Sequence, residues 1–190
     1  MAAEEKSLSL QERQLSSREI FSGRVFTVTE DRICLPDGRE GWRDLVHSSG
    51  GVVILPLDEA GNTTLVHQYR YAHRRELTEA VAGKLEAGED PLEAARRELR
   101  EETGYTAGSW VSLGLIRTSP GFLTEVLHLY LARELTAGAQ ELDDGEFLRC
   151  ERCSLTELER RIRRGEIEDA KTLAIFQRAK YYLEQEAWHV

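Results

Sequence analysis

The residues best equipped for chemistry lie between Gly83 and Gly104, in the run GKLEAGEDPLEAARRELREETG. On a helix, Glu98, Glu101 and Glu102 stand at i, i+3 and i+4 and share one face. Three carboxylates so close repel each other unless a cation joins them. Oxygen ligands of this kind suit a hard divalent ion such as Mg²⁺. Such an ion neutralises an anionic substrate and lowers the pKa of a bound water. Arg97 sits four residues before Glu101 and can pair with it, fixing one carboxylate's direction. A Glu/Arg-rich helix is more often only a solvated face of ion pairs. Carboxylate crowding, with glycines in register on both sides, weighs against that here.

These acids need a helix to hold them, and Asp90 to Thr103 reads as one. Pro91 suits a first helical turn. The interior is rich in Ala, Leu, Glu and Arg, and Gly104 is a good C-terminal stop. Leu92, Ala95 and Leu99 form the adjacent stripe, expected to pack inward. Gly83 and Gly88 are expected to let the preceding loop fold back close to the acidic face.

Around this helix the chain reads as mixed strand and helix. Residues 1–16 are polar and are expected to be loose or a short helix. Strand-like runs follow at Ile20 to Thr29, Arg32 to Leu35 and Trp42 to His47, with a turn at Pro36-Asp37-Gly38. Val52 to Leu57 and Thr63 to Tyr71 pair across a turn, and Glu76 to Ala82 leads toward the helix. Further strands are expected at Trp110 to Thr118, Val126 to Ala132 and Phe147 to Cys150. Ser154 and Glu157 form a capping box for a helix ending at Gly165, and a last helix runs from about Asp169 to Glu186. Without regular βαβ alternation, the class is α+β.

The chain has 190 residues and a net charge of −9. That charge argues against non-specific binding to nucleic acid or to an anionic membrane surface. No apolar run approaches a transmembrane length. The N-terminus lacks an apolar signal-peptide core, so a cytoplasmic protein is expected. Cys150 and Cys153 form a C-x-x-C, but further zinc ligands at matching spacing are missing. Reduced thiols in a strand and its following turn are the expectation.

Written as a pattern, G-x5-E-x7-R-E-L-x-E-E-x-G, the acidic run resembles the Nudix box of hydrolases that split a diphosphate linked to another moiety. Ser119-Pro120-Gly121-Phe122, with Pro120 sixteen positions after Gly104, resembles the marker of the ADP-ribose pyrophosphatase subfamily. Gln68-Tyr69-Arg70, Ala82-Gly83-Lys84 and Asp144-Gly145-Glu146-Phe147 also match runs of that subfamily. The resemblance covers residues 17–190. It implies a Nudix α/β/α sandwich with a mixed sheet over 48–190, plus a small N-terminal antiparallel β unit over 1–47. It also implies a homodimer in which that unit reaches across to the partner.

The resemblance carries roles by position. Glu98 and Glu102 become metal ligands, Glu101 a ligand or a water-mediated partner, and the Ala82 carbonyl a further ligand. Two or three Mg²⁺ ions are implied, with Mn²⁺ as an alternative. Arg97 orients Glu101, and Glu89 ties the loop to the helix. Arg70 binds the diphosphate. Glu146 is the general base or positions the attacking water, with Asp143 and Asp144 as rivals. Glu125, after Pro120 and Gly121, meets the terminal ribose or the water network, and Trp42 stacks on adenine. For Trp42 a core or dimer-interface role weighs equally, and for Arg70 the residues alone leave a surface arginine as an even alternative. The implied reaction takes ADP-ribose, or a related nucleoside diphosphate sugar, to AMP and ribose 5-phosphate. GDP-mannose is a rival substrate, and a non-catalytic nucleotide-binding module is a rival of another class. Two positions depart from the subfamily pattern: Val81 stands where proline is usual, and Tyr105 where an aliphatic residue is. The first bears on loop rigidity and substrate preference; the second is expected to leave activity unchanged.

Overall fold

The computed structural model describes residues 9–188. They form two compact units, residues 9–48 with Ser119–Glu125, and Ser49–Thr118 with residues 126–188. Residues 1–8 of the expected loose or helical start lie outside the described residues.

The first unit is an antiparallel sheet of β1 (Arg13–Ser22), β2 (Thr27–Cys34) and β3 (Glu40–His47), in that order. Two expectations are corrected here. Residues 13–16 are strand, and the run from Ile20 to Thr29 is broken by a turn in which the Gly23 N–H donates to the Phe26 carbonyl at 3.0 Å. The Phe21 ring lies over Gly23, where a β-carbon would stand 2.6 Å from it. Gly38, at φ +88°, makes the Pro36-Asp37-Gly38 turn. Buried Asp31 fastens β1 to β2. It accepts from Ser17 Oγ at 2.6 Å and Gln14 Nε2 at 2.8 Å. The Ser17 bond leads the causes that hold its carboxyl below the usual range. Ser119–Glu125 joins this unit through β3: the Val46 N–H donates to Phe122 O at 2.7 Å and the Thr124 N–H to Val46 O at 3.0 Å.

The second unit holds β4 (Gly51–Pro56), β5 (Asn62–Arg70), β6 (Arg75–Lys84), α1 (Pro91–Thr103), β7 (Tyr105–Arg117), β8 (Val126–Ala137), β9 (Leu148–Ser154), α2 (Leu155–Arg163) and α3 (Ala170–Trp188). Its strands lie in the order β7-β8-β4-β6-β5-β9. β4 and β8 run parallel and the other neighbours antiparallel, so the sheet is mixed. The expected pairing of β4 with β5 is corrected: apart from one Leu57–Thr63 bridge, β6 lies between them. Every residue of β4 is buried because both faces are covered. Val52 and Ile54 pack with Ala94, Ala95 and Leu99 of α1. Val53 and Leu55 pack with Leu158 of α2 and Ile175, Phe176 and Ala179 of α3. Helices on both faces of a mixed sheet make the expected α/β/α sandwich. Leu92 is only half-buried; Ala94 takes the inward place expected for it. β7 starts at Tyr105 rather than Trp110, and β8 runs to Ala137 rather than Ala132, because Tyr105 and Ala137 close one long ladder. Ser154 caps α2 by accepting from the Glu157 N–H at 3.1 Å. No helix among the described residues is long and apolar enough to cross a membrane.

Candidate active site

Helix α1 is fixed at both ends. Asp90 Oδ1 accepts from the Leu92 and Glu93 N–H groups at 2.9 and 3.2 Å. Gly104, at φ +75°, returns its N–H to Arg100 O at 2.8 Å. The acidic face is thereby held against the end of β6.

Glu102 is 2% exposed. One carboxylate oxygen accepts from the Ala82 N–H at 3.2 Å. Burial raises its pKa to about 8; the charges of Glu146 and Glu98 add to the rise, while the Ala82 bond and Arg70 oppose it. Glu98 is also raised, chiefly by burial and with help from Glu101 and Glu146, against Arg97. Gly83 explains how Glu98 fits. A β-carbon there would lie 1.8 Å from Glu98 Cδ. The glycine was expected to bend a loop. It lies instead within β6, opposite Val52, and its role is to let a carboxylate rest on the strand. Gly88, at φ +79°, does sit in the connecting turn.

The backbone at Ala82 belongs to this face. Ala82 pairs with Val53 in the β4–β6 ladder, yet its N–H goes to Glu102. In an antiparallel strand the N–H and C=O of one residue point to the same side. The Ala82 carbonyl therefore points away from β4, toward Glu102.

Arg97 organises the other acids. It forks onto Glu89 with two bonds of 3.0 Å, and donates through Nη1 to Glu98 at 2.7 Å and to Glu101 at 3.0 Å. Nη2 also reaches Lys84 O at 3.1 Å. Glu89 in turn accepts from the Glu86 N–H at 2.9 Å, closing the loop onto the helix.

Arg70, at the end of β5, grips Glu79 with two 2.6 Å bonds. Its charge is felt at Glu102, so it lies near the acidic face. Glu79 is 1% exposed and also takes Lys171, which reaches Asp169 at 3.0 Å. Sequence reasoning passed over Glu79. The available signal was a lone carboxylate in the otherwise neutral run Leu77-Thr78-Glu79-Ala80-Val81-Ala82.

Glu146 sits in a turn, its N–H donating to Asp143 O at 3.0 Å. Its charge acts on both Glu98 and Glu102, which brings it to the same face. Trp42, Pro120, Gly121 and Glu125 belong to the N-terminal unit. Trp42 is 60% exposed on β3, and Pro120 and Gly121 lie in a turn closed by Leu123 N–H to Ser119 O at 2.9 Å. Cys150 and Cys153 are both in β9, three residues apart, and so point to opposite faces. Cys150 donates to Glu102 O at 3.2 Å, while Cys153 packs into the core beneath α2 and α3. As placed, the pair cannot share a metal.

The donor set fits a hard divalent cation. It consists of oxygens only, and burial, helped by like charge, raises two of its carboxyls. Among the described residues no three acidic, histidine or cysteine side chains already close on a common point. Arg97 engages one oxygen of Glu98 and one of Glu101, leaving each carboxylate a second oxygen to offer an ion.

Residues 47–176 match the NUDIX domain, and residues 12–46 match the nucleoside diphosphate sugar hydrolase N-terminal domain. The chain belongs to the Nudix family of hydrolases, which are generally dependent on divalent metals. It is similar to the ADP-ribose pyrophosphatase of Bacillus subtilis (strain 168), 38% identical over 166 residues, covering 86% of this chain and 90% of that one. It is also similar to the methanol dehydrogenase activator of Bacillus methanolicus, 37% identical over 169 residues, covering 88% and 91%. Among solved structures, a crystal structure of an ADP compounds hydrolase superposes with a TM-score of 0.83 at 21% identity, covering 94% of this chain and 97% of that one. The last likeness concerns the fold.

Proposed function

We propose that this chain hydrolyses the diphosphate of ADP-ribose, or of a related nucleoside diphosphate sugar, to AMP and ribose 5-phosphate in the ADP-ribose case. The observation that carries the reading is the buried acidic face of α1, with Glu98 and Glu102 set against the end of β6. The similarity to the Bacillus subtilis enzyme supports the substrate class.

Glu98, Glu101, Glu102 and the Ala82 carbonyl would hold two or three Mg²⁺ ions, with Mn²⁺ as an alternative. When bound, such ions neutralise the diphosphate and acidify water. The chain's own groups do the rest. Arg97 holds Glu98 and Glu101 in place. Glu146 accepts the proton of the attacking water. Arg70 uses two of its five N–H donors on Glu79, leaving three for phosphate oxygens. Trp42 would stack on the adenine, Glu125 would meet the terminal ribose or the water network, and Pro120 and Gly121 would contact the substrate beside it. A homodimer would form through the β1–β3 sheet. Its edge strand β1 is exposed along its whole length and carries Leu15, Ile20 and Phe21.

The test is a hydrolysis panel of ADP-ribose, GDP-mannose, ADP-glucose and FAD, run with Mg²⁺, Mn²⁺ or a chelator. Metal-dependent release of AMP from ADP-ribose is expected. A faster rate on GDP-mannose moves the substrate. No turnover on any of the four, in either metal, sinks the enzymatic reading. The relative named as an activator favours a second reading, a regulatory module. Retention of every box carboxylate favours catalysis.

A further inference from the structure

The last carbonyls of a helix have no partner within it, and usually turn to water or a cap. In α1 the carbonyls of Glu101 and Glu102 are taken up by the loop that carries Glu146 and by the start of β9. The Arg100 carbonyl accepts from the Gly104 N–H at 2.8 Å. The Glu101 carbonyl accepts from the Glu141 backbone N–H at 3.0 Å. The Glu102 carbonyl accepts from Gln140 Nε2 and, at 3.2 Å, from the Cys150 thiol. A side chain at Gly104 would forbid this docking: its β-carbon would lie 2.6 Å from Gly138 O and 2.9 Å from Gln140 N. The glycine that ends the helix is therefore also the seat of the loop.

The loop is thus tied at residues 140 and 141 to the two residues whose side chains are candidate metal ligands. It is tied again where β9 begins at Leu148. Only residues 142–147 span the interval, and Glu146 lies among them. Backbone bonding by Glu141 is independent of its side chain. The Arg100–Glu141 ion pair at 2.7 Å is half-exposed and worth little. An S–H donor is weak. The amide of Gln140 is the strong side-chain donor of the set.

We infer that Gln140 is a positioning residue for hydrolysis: its side-chain amide fastens the loop bearing Glu146 to the C-terminal carbonyls of α1 and so sets the reach of Glu146. The inference rests on the reading of Glu146 as the base. The Gln140 amide meets the Glu102 carbonyl and, at 3.9 Å, the Cys150 sulfur. Its effect belongs to kcat, because the base acts on the attacking water and not on substrate binding.

The experiment compares Gln140→Leu, Glu146→Gln and the double variant with wild type. Leu keeps the bulk of the side chain and removes the donor. Steady-state kinetics on ADP-ribose are run beside thermal melts with and without Mg²⁺. Loss of one neutral hydrogen bond is worth about 1 kcal/mol, so kcat of Gln140→Leu is expected to fall about five- to tenfold. KM and the Mg²⁺-induced rise in Tm should stay at wild-type values. In the Glu146→Gln background the same change should cost nothing further, because a base already lost cannot be misplaced. Wild-type kcat in Gln140→Leu overturns the inference, and so does an undiminished loss in the Glu146→Gln background. If Glu146→Gln itself turns over at the wild-type rate, the base assignment falls first and this inference falls with it. That outcome is read from the single variant alone.

Discussion

Glu79 and Glu102 are both almost fully buried, 1% and 2% exposed, and both meet strand β6. Their environments push them in opposite directions. Glu79 has Arg70 and Lys171 on it, and its carboxyl lies below the ordinary range despite the cost of burial. Burial pushes Glu102 up to about 8, helped by the charges of Glu146 and Glu98 and opposed only by one backbone N–H and the more distant charge of Arg70. One acid is neutralised by cations that the chain supplies. The other is set among like charges, an arrangement that favours a cation from outside. Burial is common to the two; what separates structural from chemical use is who brings the counter-charge.

The largest expected effect is on Glu102. Glu102→Gln should abolish metal-dependent turnover and erase the Mg²⁺-induced rise in Tm, while the metal-free protein stays folded. A variant at wild-type rate would remove the distinction between the two acids. Next, Glu146→Gln should lower kcat by about 10²–10⁴-fold, the usual cost of losing a general base; stopped-flow or steady-state product assays measure it. Glu79→Gln should destabilise the fold by about 2–3 kcal/mol in denaturant melts, less than a fully buried pair costs because Arg70 is 40% exposed. Its loss should be the same with and without Mg²⁺. A metal-dependent loss would mean that Glu79 shares the site of Glu102.

The smallest effect is on pH dependence. Glu98 and Glu102 bind protons more tightly folded than unfolded. Without metal, their contribution to stability is present below an unfolded pKa near 4.5 and is lost as pH rises through the raised folded values, about 8 for Glu102. Glu79 has the opposite sign. Its contribution is present above that unfolded value and lost as pH falls through its lowered one. In a chelator, melts should therefore show stability slipping between pH 5 and 8, roughly the window of those shifts. The Mg²⁺-induced rise in Tm should be larger at the alkaline end. A flat or reversed profile would count against the crowded-acid account of Glu102.

Much of this was legible in the residues. The helix and its two caps are written locally, by Asp90, Pro91 and Gly104, and its acids are written by spacing. Most strands were visible as apolar runs. Longer-range facts were not. Val52–Pro56 alone cannot say that β4 lies parallel to β8, some seventy residues on. Gly83 looks like a loop glycine until Glu98 is seen lying over it. Glu79 looks like a surface acid until Lys171, ninety-two positions away, reaches it. The run from Ile20 to Thr29 hid a turn because Phe21, Val25 and Phe26 are apolar but exposed. The first three depend on a partner distant in the chain, which periodicity does not encode.

The excursion of Ser119–Glu125 has its own consequence. The polypeptide leaves one unit at Thr118, hydrogen-bonds to the backbone of β3, and comes back at Val126 as the strand beside β4. The chain therefore visits the first unit twice, at its start and again between β7 and β8. Cutting away the first 48 residues would strip this segment of its β3 contacts in the middle of the remaining chain, so a truncation that looks clean on paper leaves a frayed stitch between β7 and β8.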